Sequence, residues 1–267
     1  MLREITLGQY YQTDSVIHRL DPRVKLMTTI FYIISLFIVD NIIGYVIAGL
    51  FLAMVIKLSK VPLKFMVRGM KSIIFLLLIA VVFNLFLTPG EAVLTFWKLR
   101  ITKEGIRLAA FMAIRLVFLI MGSSVMTLTT TPNNLTDGME RLMGPLKHLK
   151  VPVHEIAMMM SIALRFIPIL LEETDKIMKA QIARGADFES GNLIKKAKSL
   201  VPLLVPLFIS AFRRANDLAM AMEARCYRGG EHRTKMKPLI YKKRDSLAYG
   251  AVACYLIICV VFGKILL

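Results

Sequence analysis

The sequence predicts an all-α, polytopic membrane protein with about five transmembrane helices and long cytoplasmic helices beside them, and three observations carry this. Of its 267 residues 57% are hydrophobic, with a mean hydropathy of +0.63, too apolar for an ordinary soluble domain. The apolar residues gather in runs separated by basic loops, the pattern that fixes orientation in a bilayer. Finally, the stretch from Thr131 to Arg244 holds 20 Lys/Arg against 11 Asp/Glu, is rich in methionine and is punctuated by proline. The formal charge of +17 could suit nucleic acid, but its distribution in blocks between apolar runs argues against that partner.

Residues 1–25 are polar and end in His18-Arg19-Leu20-Asp21-Pro22-Arg23-Val24-Lys25. Asp21-Pro22 reads as a helix start, since proline suits the first turn and aspartate can cap it. The first apolar run begins only at Leu26 and lacks a small-residue cleavage pattern after it, so no removable signal peptide is expected. Leu26–Val39 and Ile42–Ile56 read as two spans joined by a tight turn at Asp40-Asn41. A basic loop with Lys57, Lys60, Lys64, Arg68 and Lys71 follows, then a third span from Ser72 to Leu87 that stops at Pro89-Gly90. Glu91–Glu104 reads as a short amphipathic connection whose Trp97 suits a membrane interface. Gly105–Met126 is a fourth span and Ser246–Phe262 the last. Residues 1–25, 57–71 and the stretch after Thr131 are all basic and fall on one side, which places the N-terminus and residues 131–244 in the cytoplasm. Three regions follow: 1–130, a four-span bundle; 131–244, a cytoplasmic helical region; 245–267, a C-terminal span.

Within 131–244, Thr131 or Asn133 caps a short helix that ends near Gly144-Pro145. A long helix runs from about Val153 toward Arg184, with a kink expected at Pro168. Gly185–Asn192 breaks the pattern, Leu193–Leu200 restarts it, and a further long helix carries Pro202 and Pro206 and ends at Arg225. A helical insert this apolar must bury its surface on spans, lipid or a partner.

Both long helices end alike, in Ala183-Arg184-Gly185 and Ala224-Arg225-Cys226. At this 41-residue offset Ala180 also matches Ala221, whereas Glu172-Glu173 stands opposite Arg213-Arg214. A cation is favoured by the helix dipole at a C-terminus, and a small residue before it lets the tip enter a groove. The guanidinium then has five donors for carboxylates or carbonyls on a partner. Arginine is also simply common near helix C-termini, so one such tripeptide is a weak sign; two copies at matching helix ends are a stronger one.

Three features together resemble the transmembrane T subunit of energy-coupling factor transporters: His18-Arg19-Leu20-Asp21-Pro22-Arg23-Val24-Lys25, then Arg165-Phe166-Ile167-Pro168 leading into Gln181-Ile182-Ala183-Arg184-Gly185-Ala186, then the second arginine motif. The resemblance covers essentially the whole chain. It implies a membrane bundle with cytoplasmic coupling helices whose tips dock into two cytoplasmic ATP-binding subunits, while other coupling-helix surfaces hold a membrane substrate-binding S subunit that can be interchangeable. Carried over, Arg184 and Arg225 are the docking arginines, flanked by Ala183, Gly185, Ala224 and Cys226. Cys226 departs from the glycine of the family pattern, which leaves open how tightly the second tip turns. The resemblance also accounts for the lack of a GxxxxGK[ST] phosphate loop in the sequence: ATP is hydrolysed by a partner, and this chain is a non-catalytic subunit without cofactor or metal.

Met158, Met159, Met160, Met178, Met220 and Met222 lie on the long helices, where methionine's adaptability suits an S-subunit surface, although ordinary helix packing explains any single one equally well. Arg115 lies inside the fourth span, and Asp40 and Asn84 fall toward the same side, so a structural ion pair or hydrogen bond is the expected use of these three. Glu140, Glu155, His148 and His154 lack catalytic spacing. Cys226, Cys254 and Cys259 form no CxxC, and neither a disulfide nor a metal site is expected. Lys242-Lys243-Arg244 reads as an orientation and anionic-lipid signal. Two other classes compete with a coupling scaffold for vitamin or metal-ion import: a membrane-embedded lipid-modifying enzyme centred on Asp137-Gly138, which lacks a second aspartate cluster, and a self-contained secondary carrier, which needs midplane polar groups and a repeat across the spans.

Overall fold

The computed structural model describes residues 10–89, 91–96, 99–188, 192–230, 236 and 238–265; Trp97, part of the basic linker and residues 1–9 lie outside the described residues. The chain forms two compact bodies, Gly8–Arg141 with Leu239–Leu267, and Leu142–Pro238.

In the first body, helix α1 (Pro22–Ile38) starts where the sequence places it: the Asp21 side chain accepts from the Arg23 backbone N–H at 2.9 Å and Pro22 occupies the first turn. Burial works against the Asp21 charge, but the Arg23 guanidinium beside it outweighs this and holds the carboxyl below the usual range. Helix α2 (Ile42–Ser59) follows the Asp40-Asn41 break, and α3 (Leu63–Leu87) follows Pro62. The connection expected as merely amphipathic is instead a hairpin of β1 (Ala92–Phe96) and β2 (Leu99–Thr102), antiparallel with Phe96 opposite Leu99 and Ala92 opposite Thr102. Its Val-Leu-Thr-Phe run has the β-branched and aromatic content that favours extended backbone. Thr102 then ties the hairpin to its neighbours, donating to the Thr88 carbonyl at 2.9 Å and capping α4 (Lys103–Thr129) through the Gly105 N–H at 3.1 Å.

Thr131 caps α5 (Pro132–Leu142) through the Asn134 N–H. A Cβ at Gly138 would lie 3.0 Å from Pro22 Cβ, so this glycine lets α5 approach the start of α1. The last helix, α9 (Lys243–Ile265), carries in its first turn Asp245, which is only 1% exposed; its carboxylate accepts the Asp21 N–H at 2.9 Å and the Lys242 N–H at 2.8 Å. One buried aspartate thus joins the starts of α1 and α9. The core between them holds Tyr32, Leu36, Tyr45, Ala48, Leu52, Tyr255 and Cys259, with the Phe51 and Tyr255 rings stacked at 4.3 Å. A Cβ at Gly122 would sit 2.6 Å from the Tyr32 ring, so α4 comes close to α1 only because that position is glycine.

The second body contains a 3₁₀ turn (Gly144–Leu149), α6 (Val153–Ala183), α7 (Leu193–Ser199) and α8 (Val201–Ala224). Pro168 lies inside α6, which continues to Ala183. Among the described residues four helical segments are long and apolar enough to cross a bilayer: Ile42–Ser59, Lys103–Thr129, Val153–Ala183 and Lys243–Phe262. Three coincide with expected spans. The differences lie in α6, expected as a cytoplasmic helix yet apolar enough to qualify; in α1, whose 17 residues extend only about 25 Å at 1.5 Å per residue; and in α3, expected to span over Ser72–Leu87, where the apolar stretch Ile73–Phe86 is shorter than the other four. Length and hydropathy alone therefore do not separate a span from an apolar helix that serves a partner.

Candidate functional site

The two arginine motifs form helix ends of one design. Arg184 is the C-cap of α6 and Arg225 the C-cap of α8. After Arg184, Gly185 turns left-handed at φ +89, its N–H bonds the Ile182 carbonyl at 2.9 Å, and the Ala186 N–H reaches back to Gln181 at 2.9 Å. After Arg225, Cys226 takes φ +53, its N–H bonds the Glu223 carbonyl at 2.9 Å, and the Tyr227 N–H reaches Met222 at 3.0 Å. Every one of these bonds maps onto its counterpart at the 41-residue offset, and together they make the Schellman closure of a helix end. The cysteine adopts the left-handed turn that glycine takes in the first copy, at φ +53 against +89, and keeps the two closing bonds. Left-handed backbone costs a residue with a Cβ about 1–2 kcal/mol. Ala183, Arg184, Gly185, Ala224, Arg225 and Cys226 are all exposed. Each tip therefore presents a guanidinium behind a flat alanine surface, at the end where the helix dipole favours a cation.

Helices α6 and α8 run antiparallel. The Gln181 side chain donates to the Pro202 carbonyl at 3.2 Å, and at the other end Gly230 lies so close to His154 that a Cβ would sit 2.1 Å from the ring. Each tip is thus held against the first turn of the opposite helix. Between these contacts the helices are joined by a polar cluster that sequence reasoning missed: Glu173 accepts from Ser210 Oγ at 2.5 Å and from Arg214 Nη2 at 2.8 Å and Nε at 3.2 Å. Glu173 and Arg214 are themselves separated by 41 residues, so they occupy equivalent positions in the two helices. Each precedes its arginine tip by eleven residues, about 16 Å of helix. The opposite charges at that offset were visible in the sequence; that the helices cross so as to pair them was not.

Among the methionines, Met159, Met160 and Met220 are exposed, and Met158, Met178 and Met222 are half-buried. On α6 and α8, Ile182, Leu204, Val205, Phe208, Ile209 and Phe212 are also exposed, giving both helices a broad apolar surface.

In the first body Arg115 meets Asp40, with Nη2 3.0 Å from Oδ1 and 3.3 Å from the Val39 carbonyl, while its Nε donates to the Tyr45 hydroxyl at 2.9 Å. Tyr45 was not singled out in the sequence. Asn84 belongs elsewhere: its amide donates to Ala80 at 2.8 Å within α3. Cys226, Cys254 and Cys259 are free thiols. Among the described residues no group of three or more His, Cys, Asp or Glu could hold a metal ion.

A family model described as "CbiQ: Cobalt transport protein" matches residues 13–236. Several relatives bear the name energy-coupling factor transporter transmembrane protein EcfT. That of Clostridium kluyveri is 56% identical over 97% of this chain and 96% of its own length. Those of Thermosediminibacter oceani and Ruminiclostridium cellulolyticum are 54% and 52% identical, over 94% and 96% of this chain and the same shares of theirs. Matches that run nearly end to end, on a chain of apolar membrane helices, make this protein a member of the EcfT family, the transmembrane component of energy-coupling factor transporters.

Proposed function

We propose that the chain is the coupling scaffold of an ATP-driven importer, linking two cytoplasmic ATP-binding subunits to one membrane substrate-binding S subunit that carries a vitamin or a metal ion. The observation that carries this reading is the pair of exposed arginine caps, closed by the same hydrogen bonds in both copies although one turn is glycine and the other cysteine. A structural helix end does not need to be built twice alike; two docking plugs for two similar subunits do. In this reading each arginine enters a groove of one ATP-binding subunit and meets carboxylates or carbonyls there. Closure of that pair upon ATP binding then moves α6 and α8 as a unit, because Glu173, Ser210 and Arg214 join them. The absence of a GxxxxGK[ST] loop from the sequence supports hydrolysis in the partners.

The exposed methionines and aromatic side chains of α6 and α8 serve in this reading as the S-subunit surface, adaptable enough to fit more than one such partner. Residues 1–25, 57–71 and 131–244 lie on the cytoplasmic side of the bacterial plasma membrane, in keeping with their shared basic charge. Affinity purification of the tagged chain from native membranes tests the reading. Two nucleotide-binding chains and a small apolar membrane chain are expected to co-purify, and uptake by the purified chain alone, without ATP, would overturn it.

A further inference from the structure

The first body contains an apolar cavity of about 220 Å³ between α1, α2, α4 and α9. Its lining is graded from end to end. Along α1 it is formed by Lys25, then Thr28 and Thr29, then Tyr32; along α9 by Arg244, then Leu247 and Ala248, then Ala251. These are the i, i+3, i+4, i+7 positions of one helix face, so each helix contributes a cation at one end and two turns of small or apolar surface beyond it. Helix α4 repeats the gradient in reverse order of sequence, from Thr129 at that end to Gly122 at the other. The groove runs about 10 Å from the cations to the Tyr32 ring.

Three polar features remain after internal bonding. Lys25 is only 6% exposed and its ammonium donates to the His18 and Thr129 carbonyls at 3.2 and 2.8 Å, which uses two of three donors. The Arg244 Nε is buried and, among the described residues, without a hydrogen-bond partner. The same holds for the hydroxyl of Tyr32, a residue 4% exposed. Arg244 is near enough to repel the Lys25 charge, and Asp21 and Asp245 are near enough to offset it, but Asp21 is also paired with Arg23, so three cations stand against two carboxylates. A surplus cation at the end of an apolar groove calls for an anion with an apolar tail.

We infer that this groove is a binding site for one anionic phospholipid, its phosphate between Lys25 and Arg244 and its acyl chain lying over Tyr32 and Ala251. A neutral lipid would fill the groove but leave the surplus cation uncompensated, and free phosphate would leave the apolar length unused.

Native mass spectrometry of the full chain in non-ionic detergent tests this, with dioleoyl-phosphatidylglycerol, dioleoyl-phosphatidylcholine or inorganic phosphate as the added probe. One phosphatidylglycerol is expected to be retained in preference to phosphatidylcholine, and inorganic phosphate is not expected to displace it. Arg244→Gln is expected to weaken retention about fivefold, the usual effect of one cation near an anionic headgroup, and Arg244→Lys to restore most of it. Lys57→Gln, which removes an equal charge from an exposed site outside the groove, is expected to leave retention unchanged. Equal loss in Lys57→Gln would reduce the effect to surface charge and overturn the site, as would retention unaffected by Arg244→Gln or displacement by inorganic phosphate.

Discussion

Exchanging the residues that close the two helix tips tests whether they share one design. Gly185 stands at φ +89 with nothing within 4 Å of the place a Cβ would take, so Gly185→Ala meets no clash and its cost is purely that of the backbone. That cost, about 1–2 kcal/mol for left-handed backbone, is offset by roughly 0.4–1 kcal/mol from a stiffer unfolded chain, leaving a loss of about 1 kcal/mol. Cys226→Gly runs the other way. The thiol is exposed, so little packing is lost, and relief at φ +53 leaves a gain of about 0.5–1 kcal/mol after the same correction. Hydrogen–deuterium exchange at the helix ends reads both changes as local opening free energies. In Gly185→Ala the amides of Gly185 and Ala186 are expected to exchange about fivefold faster. In Cys226→Gly those of Cys226 and Tyr227 slow by about two- to fivefold. Unchanged or faster exchange at Tyr227 in Cys226→Gly would show that the second tip is not held by the closure that holds the first.

A double-mutant cycle on Glu173→Ala and Arg214→Ala is expected to give a coupling energy of about 1 kcal/mol in thermal or denaturant unfolding, modest because the Arg214 side chain is 40% exposed. Gly122→Ala places a Cβ 2.6 Å from the Tyr32 ring and is expected to destabilise the chain by about 1–3 kcal/mol, read as a lower melting temperature. His18 is bonded to Ser15 Oγ at 2.7 Å and to the Tyr11 carbonyl at 2.9 Å. Burial, seconded by the Lys25 charge, lowers its pKa despite the Tyr11 bond. An NMR titration should therefore find it neutral below the ordinary value of about 6.5. Because its folded pKa is the lower one, its contribution to stability is full above about pH 6.5 and declines as the pH falls below that toward the folded pKa.

What the sequence made legible is mostly local. Asp21-Pro22 as a helix start, Thr131 as a cap, and the breaks at Asp40-Asn41 and Gly185 all rest on residues whose own backbone preferences decide the outcome. The resemblance at the two arginine motifs and the His18–Lys25 segment also identified the family. What escaped were contacts made across the fold. Asp245 reaches Asp21 across 224 residues, and Tyr45 reaches Arg115 across 70; nothing in spacing or periodicity brings such pairs together. The hairpin at Ala92–Thr102 escaped because five- and four-residue strands carry too few alternations to stand out beside long apolar runs. The nature of α6 was hidden for a different reason, since an apolar surface that docks on a partner and one that faces lipid have the same composition.

The coupling role rests on the two guanidinium tips, and reversing both charges tests it most directly. The measurement is uptake and ATP hydrolysis by the complex purified with its nucleotide-binding subunits, comparing the native chain with Arg184→Glu/Arg225→Glu. Each substitution leaves a helix end whose closure uses backbone groups alone, so the fold is expected to persist while assembly falls or hydrolysis no longer drives uptake. A double charge reversal that assembles normally and couples hydrolysis to uptake as the native chain does would contradict it.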